Sequence, residues 1–181
     1  MPFKCHENVF YYRDMFNQDV ILASLNEIKE MNRNTEFHIL ESLPLIYRTQ
    51  LHSLESLAYP YWKDEYDSWE KTLIEQTIWS VALDSDVPIT TLRAYPSMIP
   101  DTLTINYLST ELTYRNRGLA SGVVLNCINH VFKNTDCTSI QAQDISSPGA
   151  AMILEKLGFV RNRQNKDIIG SMQEICRACK T

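Results

Sequence analysis

The residues best suited to chemistry lie together in Leu108-Ser109-Thr110-Glu111-Leu112-Thr113-Tyr114-Arg115-Asn116-Arg117-Gly118-Leu119-Ala120. Their order reads as a strand, a short basic turn and the start of a helix. The first turn of a helix leaves its N–H groups without intrahelical partners. With the positive end of the helix dipole and the guanidinium groups of Arg115 and Arg117, they form a socket for a diphosphate. Gly118 lets the backbone approach the anion. The stretch is not a nucleoside-triphosphate loop, because no Gly-Lys-Ser/Thr is present. Nor is it a dinucleotide fingerprint, because Gly118 has no GxG partner. A solvated basic turn is the alternative reading of the two arginines. All five glycines (118, 122, 149, 158 and 170) follow Arg117, whereas average usage of about 7% would scatter about a dozen along the chain. Such sparing use implies that each glycine has a backbone role.

Arg115-x-x-Gly118-x-Ala120 resembles the (Arg/Gln)-x-x-Gly-x-(Gly/Ala) pyrophosphate motif of the GNAT superfamily, the acyl-CoA-dependent N-acyltransferases. Leu108 and Tyr114 fall where members of that family usually have them. Ala150-Ala151-Met152-Ile153-Leu154-Glu155-Lys156-Leu157-Gly158-Phe159 resembles the family's second motif, which ends in Leu-Gly-Phe. The resemblance covers roughly residues 77–160. It implies acetyl-CoA as co-substrate and no metal. Backbone groups of Leu108, Thr110 and Leu112 would hold the pantetheine arm. Arg115, Asn116, Arg117, Gly118, Leu119 and Ala120 would wrap the pyrophosphate. Ser147 stands where the family often has an arm-binding Asn, and serves either that role or only as a helix N-cap.

Three positions depart from the family pattern. Thr110 and Leu112 replace the common Val and Pro, a mild change where strand backbone does the binding. Leu154 replaces the Tyr that in many members protonates the departing thiolate, and Leu cannot donate a proton. The reaction the resemblance implies is direct attack of a primary amine on the thioester. A lysine-like amine with a pKa of about 10.4 is neutral in only about 1 in 2,500 molecules at pH 7, a cost of about 4.6 kcal/mol. A base or water relay must meet that cost. Glu111 and Asp144, at strand ends, are the candidate carboxylates, with solvated loop residues as the alternative. Between Tyr59 and Glu70, five aromatics and four carboxylates would suit a cationic acceptor. Tyr61, Trp62, Glu65 and Tyr66 are its candidate contacts; core packing of the rings and solvation of the charges is the other reading. The acceptor is then a small polyamine, amino sugar or amino-acid-like amine. A protein lysine or N-terminus, or a non-catalytic acyl-CoA sensor, are the competing functions.

The elements that must position these residues alternate in type. Asn17 or Asp19 caps a helix whose face is Ile21, Leu22, Leu25, Ile28 and Met31. Phe37–Leu40 is strand-like, Leu43–Leu57 helical, and Asp67–Gln76 a second helix. Thr77–Leu83, Ile89–Ala94 and Leu103–Leu112 are strands, the first two joined as a hairpin. Gly118–Lys133 is a helix with one apolar stripe, inside which Gly122 permits close packing. Thr138–Gln143 is a strand, and Ser147-Pro148 starts a helix that Gly158 ends. Phe159-Val160 and Asp167–Ile169 complete the strands. The fold class is mixed α/β (α+β): a single-domain GNAT-like fold with a central, mostly antiparallel sheet flanked by helices. Residues 1–34 form an N-terminal helical extension, and 35–181 the acyltransferase domain. The extra helix either covers the sheet or pairs with a second copy.

Composition bounds the rest. The chain has 181 residues, 44% hydrophobic and 22% charged, ordinary for a globular protein with a core of its own. Seventeen Lys+Arg against 22 Asp+Glu give a net charge of −5, which argues against nucleic acid as a partner. The opening residues lack the apolar core of a signal peptide, and no run reaches the ~20 residues that span a bilayer. A cytoplasmic location with no membrane partner is expected. Five cysteines read as reduced thiols. The Cys176–Cys179 pair reads as chance spacing, and the four histidines make no metal cluster.

Overall fold

Period-two alternation in Ile78–Asp84 divides the molecule into two cores. Trp79, Val81 and Leu83 pack with Leu51, Leu54 and Trp69 on one side. Ile78 and Ala82 join the larger core on the other side, where the Ser80 hydroxyl donates to the Val123 carbonyl at 2.7 Å. The computed structural model describes residues 10–13, 17–142 and 148–161. In chain order its elements are β1 (Phe10–Arg13), α1 (Gln18–Met31), β2 (Thr35–Leu40), α2 (Leu45–Ala58), α3 (Tyr66–Glu70), β3 (Ile78–Asp84), β4 (Val87–Pro96), β5 (Thr102–Thr110), α4 (Leu119–Asn134), β6 (Ser139–Ala142), α5 (Pro148–Lys156) and β7 (Val160–Arg161).

The strands form one sheet in the order β2-β3-β4-β5-β6-β1-β7. Every pairing is antiparallel except β5 with β6. This is the mixed, mostly antiparallel sheet flanked by helices that the sequence predicts. On one face α4 packs against β2 to β5 and against α1. On the other, α2 covers β4 and β5.

Several boundaries differ from expectation. The first 34 residues supply β1 as well as α1, and β1 lies between β6 and β7. Asn17, not Asp19, caps α1, accepting from the Asp19 and Val20 amides at 3.1 and 3.3 Å. The buried rank of α1 is Ile21, Leu25 and Ile28; Met31 is 70% exposed, and Asn32 takes the next inward position. The helix expected over Asp67–Gln76 stops at Glu70, because Thr72 turns to serve the side chain of Arg93. Strand β5 ends at Thr110 rather than Leu112, where a short 3-10 turn, Leu112–Tyr114, begins. The strand expected over Asp167–Ile169 and the paired cysteines lie outside the described residues.

Gly122 sits where α4 crosses β2 and α1. A Cβ there would lie 2.4 and 2.6 Å from the Phe37 ring and 3.3 Å from Ile28 Cγ2. Overpacking of this kind costs about 1–3 kcal/mol, against about 1 kcal/mol gained from alanine's helix propensity. Gly122→Ala should therefore destabilise the protein by about 1 kcal/mol in urea unfolding. In a Phe37→Leu background, which removes the clashing ring edge, the same change should become stabilising. A stabilising effect in the wild-type background would show that the contact is not made.

Candidate functional site

Strand β5 is paired on both sides for only part of its length. Thr102–Ile105 lies in parallel register with Ser139–Ala142 of β6, while the β4 ladder continues to Thr110. Between the two stretches β5 carries an extra residue: Arg93 pairs with Asn106 and Thr91 with Ser109, so Tyr107 and Leu108 together oppose Leu92. Tyr107 has φ 58°. The bulge bends β5 and shifts its side-chain parity by one. Leu108 consequently packs on the larger core, and the Ser109 hydroxyl turns to the Leu54 carbonyl of α2. The Glu111 amide donates to the Ile89 carbonyl of β4 at 2.8 Å. By strand alternation the backbone groups of Thr110 then face the opposite edge, past the last described pair, Ile105 with Ala142.

That edge is one wall of a cleft of about 710 Å³. Leu108–Thr110, Leu57 and Ala58 at the end of α2, and Gly149, Ala150, Ile153 and Lys156 of α5 line its sides. Its end is the N-terminus of α4, with Gly118, Leu119, Ala120 and Ser121. Gly118 is the N-cap at φ 78°, and no side chain caps the helix. The first amides of α4 are thus left for whatever enters the cleft.

The turn before α4 is held from several directions. The Arg115 Nε donates to the Thr110 carbonyl at 3.2 Å, and Arg117 donates to the Thr113 carbonyl at 3.2 Å. The Arg117 guanidinium lies 4.9 Å from the Tyr114 ring centroid. The Tyr114 hydroxyl donates to Asp84 Oδ2 at 2.7 Å, a bond that raises the Tyr114 pKa.

Of the sequence-predicted cofactor residues, Leu108, Thr110, Arg115, Asn116, Gly118, Leu119 and Ala120 meet around the cleft. Arg117 instead lines a groove on the α1 side of the same turn, with Asn32, Arg33 and Asp84. Leu112 is 58% exposed on the 3-10 turn and lines neither. Ser147 and Asp144 lie outside the described residues. Glu111 lines a third groove, beneath the β3–β4 hairpin, with Tyr114 and Gln50. Leu154 is 1% exposed in the larger core, so the cleft-lining positions of α5 include Ile153 in its place. The candidate acceptor contacts separate. Trp62 and Tyr66 pack on the second core, Glu65 is exposed and accepts from Ser68, and Tyr61 is 60% exposed against Tyr59 and Trp62.

Sequence reasoning missed a buried network behind the bulge. Glu55 of α2 accepts two bonds from Arg93 of β4, one at 2.7 Å, and a third from the Trp69 indole at 2.6 Å. Burial pushes the Glu55 carboxyl up, against the pull of Arg93. The Arg93 guanidinium lies 4.6 Å from the Trp79 ring centroid and 4.3 Å from that of Tyr107. Beyond Tyr107, the Tyr59 hydroxyl donates to Asn106 Oδ1 at 3.1 Å, and the same oxygen accepts the Tyr107 amide at 2.8 Å. The only sequence signal for this network was an Arg inside a strand and a Glu inside an apolar helix face.

No protein-family model and no curated protein sequence matches the chain. Solved structures do. A GCN5-related N-acetyltransferase from Kribbella flavida aligns over 87% of this chain and 55% of its own, with TM-score 0.57 and 11% identity. A tandem GNAT protein from the clavulanic acid biosynthesis pathway aligns over 85% of this chain and 49% of its own, with TM-score 0.63 and 10% identity. A predicted acetyltransferase from Clostridium acetobutylicum, solved with acetyl-CoA, aligns over 72% and 92%, with TM-score 0.53 and 15% identity. The chain thus spans about half the length of the first two. Its fold is that of the GNAT acyltransferases. Among the described residues no helix is long and apolar enough to cross a membrane.

Burial raises the Tyr107 hydroxyl to about 12 and drives that of Tyr59 above the ordinary tyrosine range. Both are raised above their unfolded value of about 10. Their contribution to stability is therefore fully present below pH 10 and is lost as pH rises from there through the folded values. Absorbance at 295 nm should show Tyr59 and Tyr107 as the last of the nine tyrosines to ionise, after Tyr12 and Tyr114, whose values are raised less. Tyr107→Phe should flatten the loss of stability between pH 10 and 12. An unchanged alkaline limb would contradict the burial of Tyr107.

Proposed function

We propose that this protein is an acetyl-CoA-dependent N-acetyltransferase that passes the acetyl group to a primary amine by direct attack on the thioester. The observation that carries the reading is the uncapped, left-handed N-terminus of α4 at the end of a cleft that Leu108–Thr110 of β5 line along one side. The two ends of that cleft suit the two ends of a CoA thioester. Backbone amides and Arg115 meet the diphosphate, and the β5 edge meets the amide-bearing pantetheine arm as an added strand would. A backbone N–H near Thr110 would stabilise the oxyanion. The acceptor is a small cationic amine, and its approach is past the bulge, where Tyr59, Asn106 and Tyr107 cluster and Tyr61 is exposed. Glu111 and Asp144 remain the carboxylates to test as bases. Protein lysines or N-termini are a second acceptor class.

The burial of Leu154 favours one further reading, an acyl-CoA-binding sensor without turnover. Release of CoA thiol from acetyl-CoA, measured across polyamines, aminoglycosides, amino acids and Lys-containing peptides, separates the two. Amine-dependent release establishes catalysis. Silence, with acetyl-CoA still raising the melting temperature, supports the sensor; silence with no shift removes the acyl-CoA reading altogether. Arg115 lines the cleft and Arg117 does not. Arg115→Ala should raise the acetyl-CoA KM about tenfold, and Arg117→Ala less. Neutralising Glu65 and Asp67 should raise the acceptor KM while sparing acetyl-CoA binding; equal effects on both would sink the cationic-acceptor idea.

A further inference from the structure

Asn32 breaks the apolar rank of α1. The helix turns Ile21, Leu25 and Ile28 inward, and the next inward position, four residues on, is an amide that is 8% exposed. Asn32 Nδ2 donates to the Ile28 carbonyl at 2.9 Å and to the Arg117 carbonyl, 85 residues away in sequence, also at 2.9 Å. Capping α1 does not need this side chain, because the Asn32 backbone amide already serves the Ile28 and Lys29 carbonyls. The bond to Arg117 is what an apolar residue at this position would lose.

The bond has a direction. Arg117 lies between two left-handed residues, Asn116 at φ 62° and Gly118 at φ 78°, so the peptide that joins it to Gly118 could face either way without such a tether. That peptide is trans, and in a trans peptide the C=O and the N–H point in opposite directions. With the carbonyl held toward α1, the Gly118 amide must point away from α1; Gly118 borders both the α1-side groove and the cleft, and the cleft is the one away from α1. Ile28 supports the same point from below, 3.6 Å from where a Gly118 Cβ would stand.

We infer that Asn32 is a positioning residue for the diphosphate subsite: by fixing the 117–118 peptide it aims the Gly118 amide at the anion. The inference rests on the acyl-CoA reading, so CoA binding by the wild type is measured first, by calorimetry. No binding there overturns both. Asn32→Leu keeps the volume, continues the apolar rank of α1 and removes the donor. It should weaken CoA about fivefold to tenfold, leave pantetheine, which lacks the diphosphate, unchanged, and keep the wild-type melting temperature. Asn32→Asp, an isostere that cannot donate, should weaken CoA at least as much. Wild-type CoA affinity in Asn32→Leu overturns the inference, and so does an equal loss of CoA and pantetheine, which a general structural defect would give.

Discussion

Strand β5 has to bend partway along its length and still pack on both faces, and the rest of the site depends on how it does so. The described parallel ladder with β6 covers four residue pairs, and the ladder with β4 continues to Thr110. The bulge at Tyr107 and Leu108 bends the strand beyond the last described β6 pair. It also resets parity. Without it Leu108 would turn toward α2 and Ser109 toward α4, a polar group into the larger core and an apolar one out of it. The bend of β5 and the packing on both faces therefore come from the same inserted residue.

What secures the bulge is charge. Arg93 sits on β4 opposite Asn106, its guanidinium lies over the Tyr107 ring, and Glu55 binds it from α2. A buried ion pair of this kind adds little net stability over apolar packing, yet removing one partner costs about 3–5 kcal/mol, because the other charge is left stranded. Its effect is on register. A slip of β4 by one residue would carry Arg93 to the α4 face, away from Glu55, and a displaced Tyr107 would uncover the guanidinium. The same network holds α2, whose last turn forms a wall of the cleft.

The α4 end of the cleft was legible in the sequence because it is local. Strand, turn, glycine and helix follow one another within Leu108–Ala120, and the cleft gathers most of those residues where the motif places them. Gly158, at φ 93° where α5 ends, was legible for the same reason; Gly122 was legible as a close-packing position within its helix, but its partner Phe37 on β2 was not. The long-range features were not. Strand β1 is four residues, too short to declare itself without the partners on either side. The bulge leaves little mark in the strand: Asn106 and Ser109 interrupt the apolar and β-branched run without saying where the extra residue falls. Met31 and Asn32 exchange places because helical periodicity gives the stripe, whereas its last member is chosen by the turn it meets. Trp62 and Tyr66 were drawn toward the acceptor by composition, but aromatic residues beside an uncovered sheet face serve first to cover it.

The two ends of the cleft are built differently. At the α4 end, two left-handed residues stand next to each other but one, asparagine and glycine, the residue types that enter this region most readily as single positions. The arrangement is sustained by bonds from outside the turn: Asn32 from α1, and Asp84 through Tyr114 from the β3–β4 hairpin. A turn held this way needs no ordering when an anion arrives, so little of the binding energy is lost to entropy. Among the described residues of α5 there is no such frame, since Leu154 faces the core. Past the bulge, Tyr59 and Asn106 are bonded to each other. Under the proposed function, an acceptor approaching there must replace that bond or work around it. The α4 end of the cleft is therefore set by backbone geometry that a short motif records, and the cluster past the bulge by side chains that only the folded chain brings together.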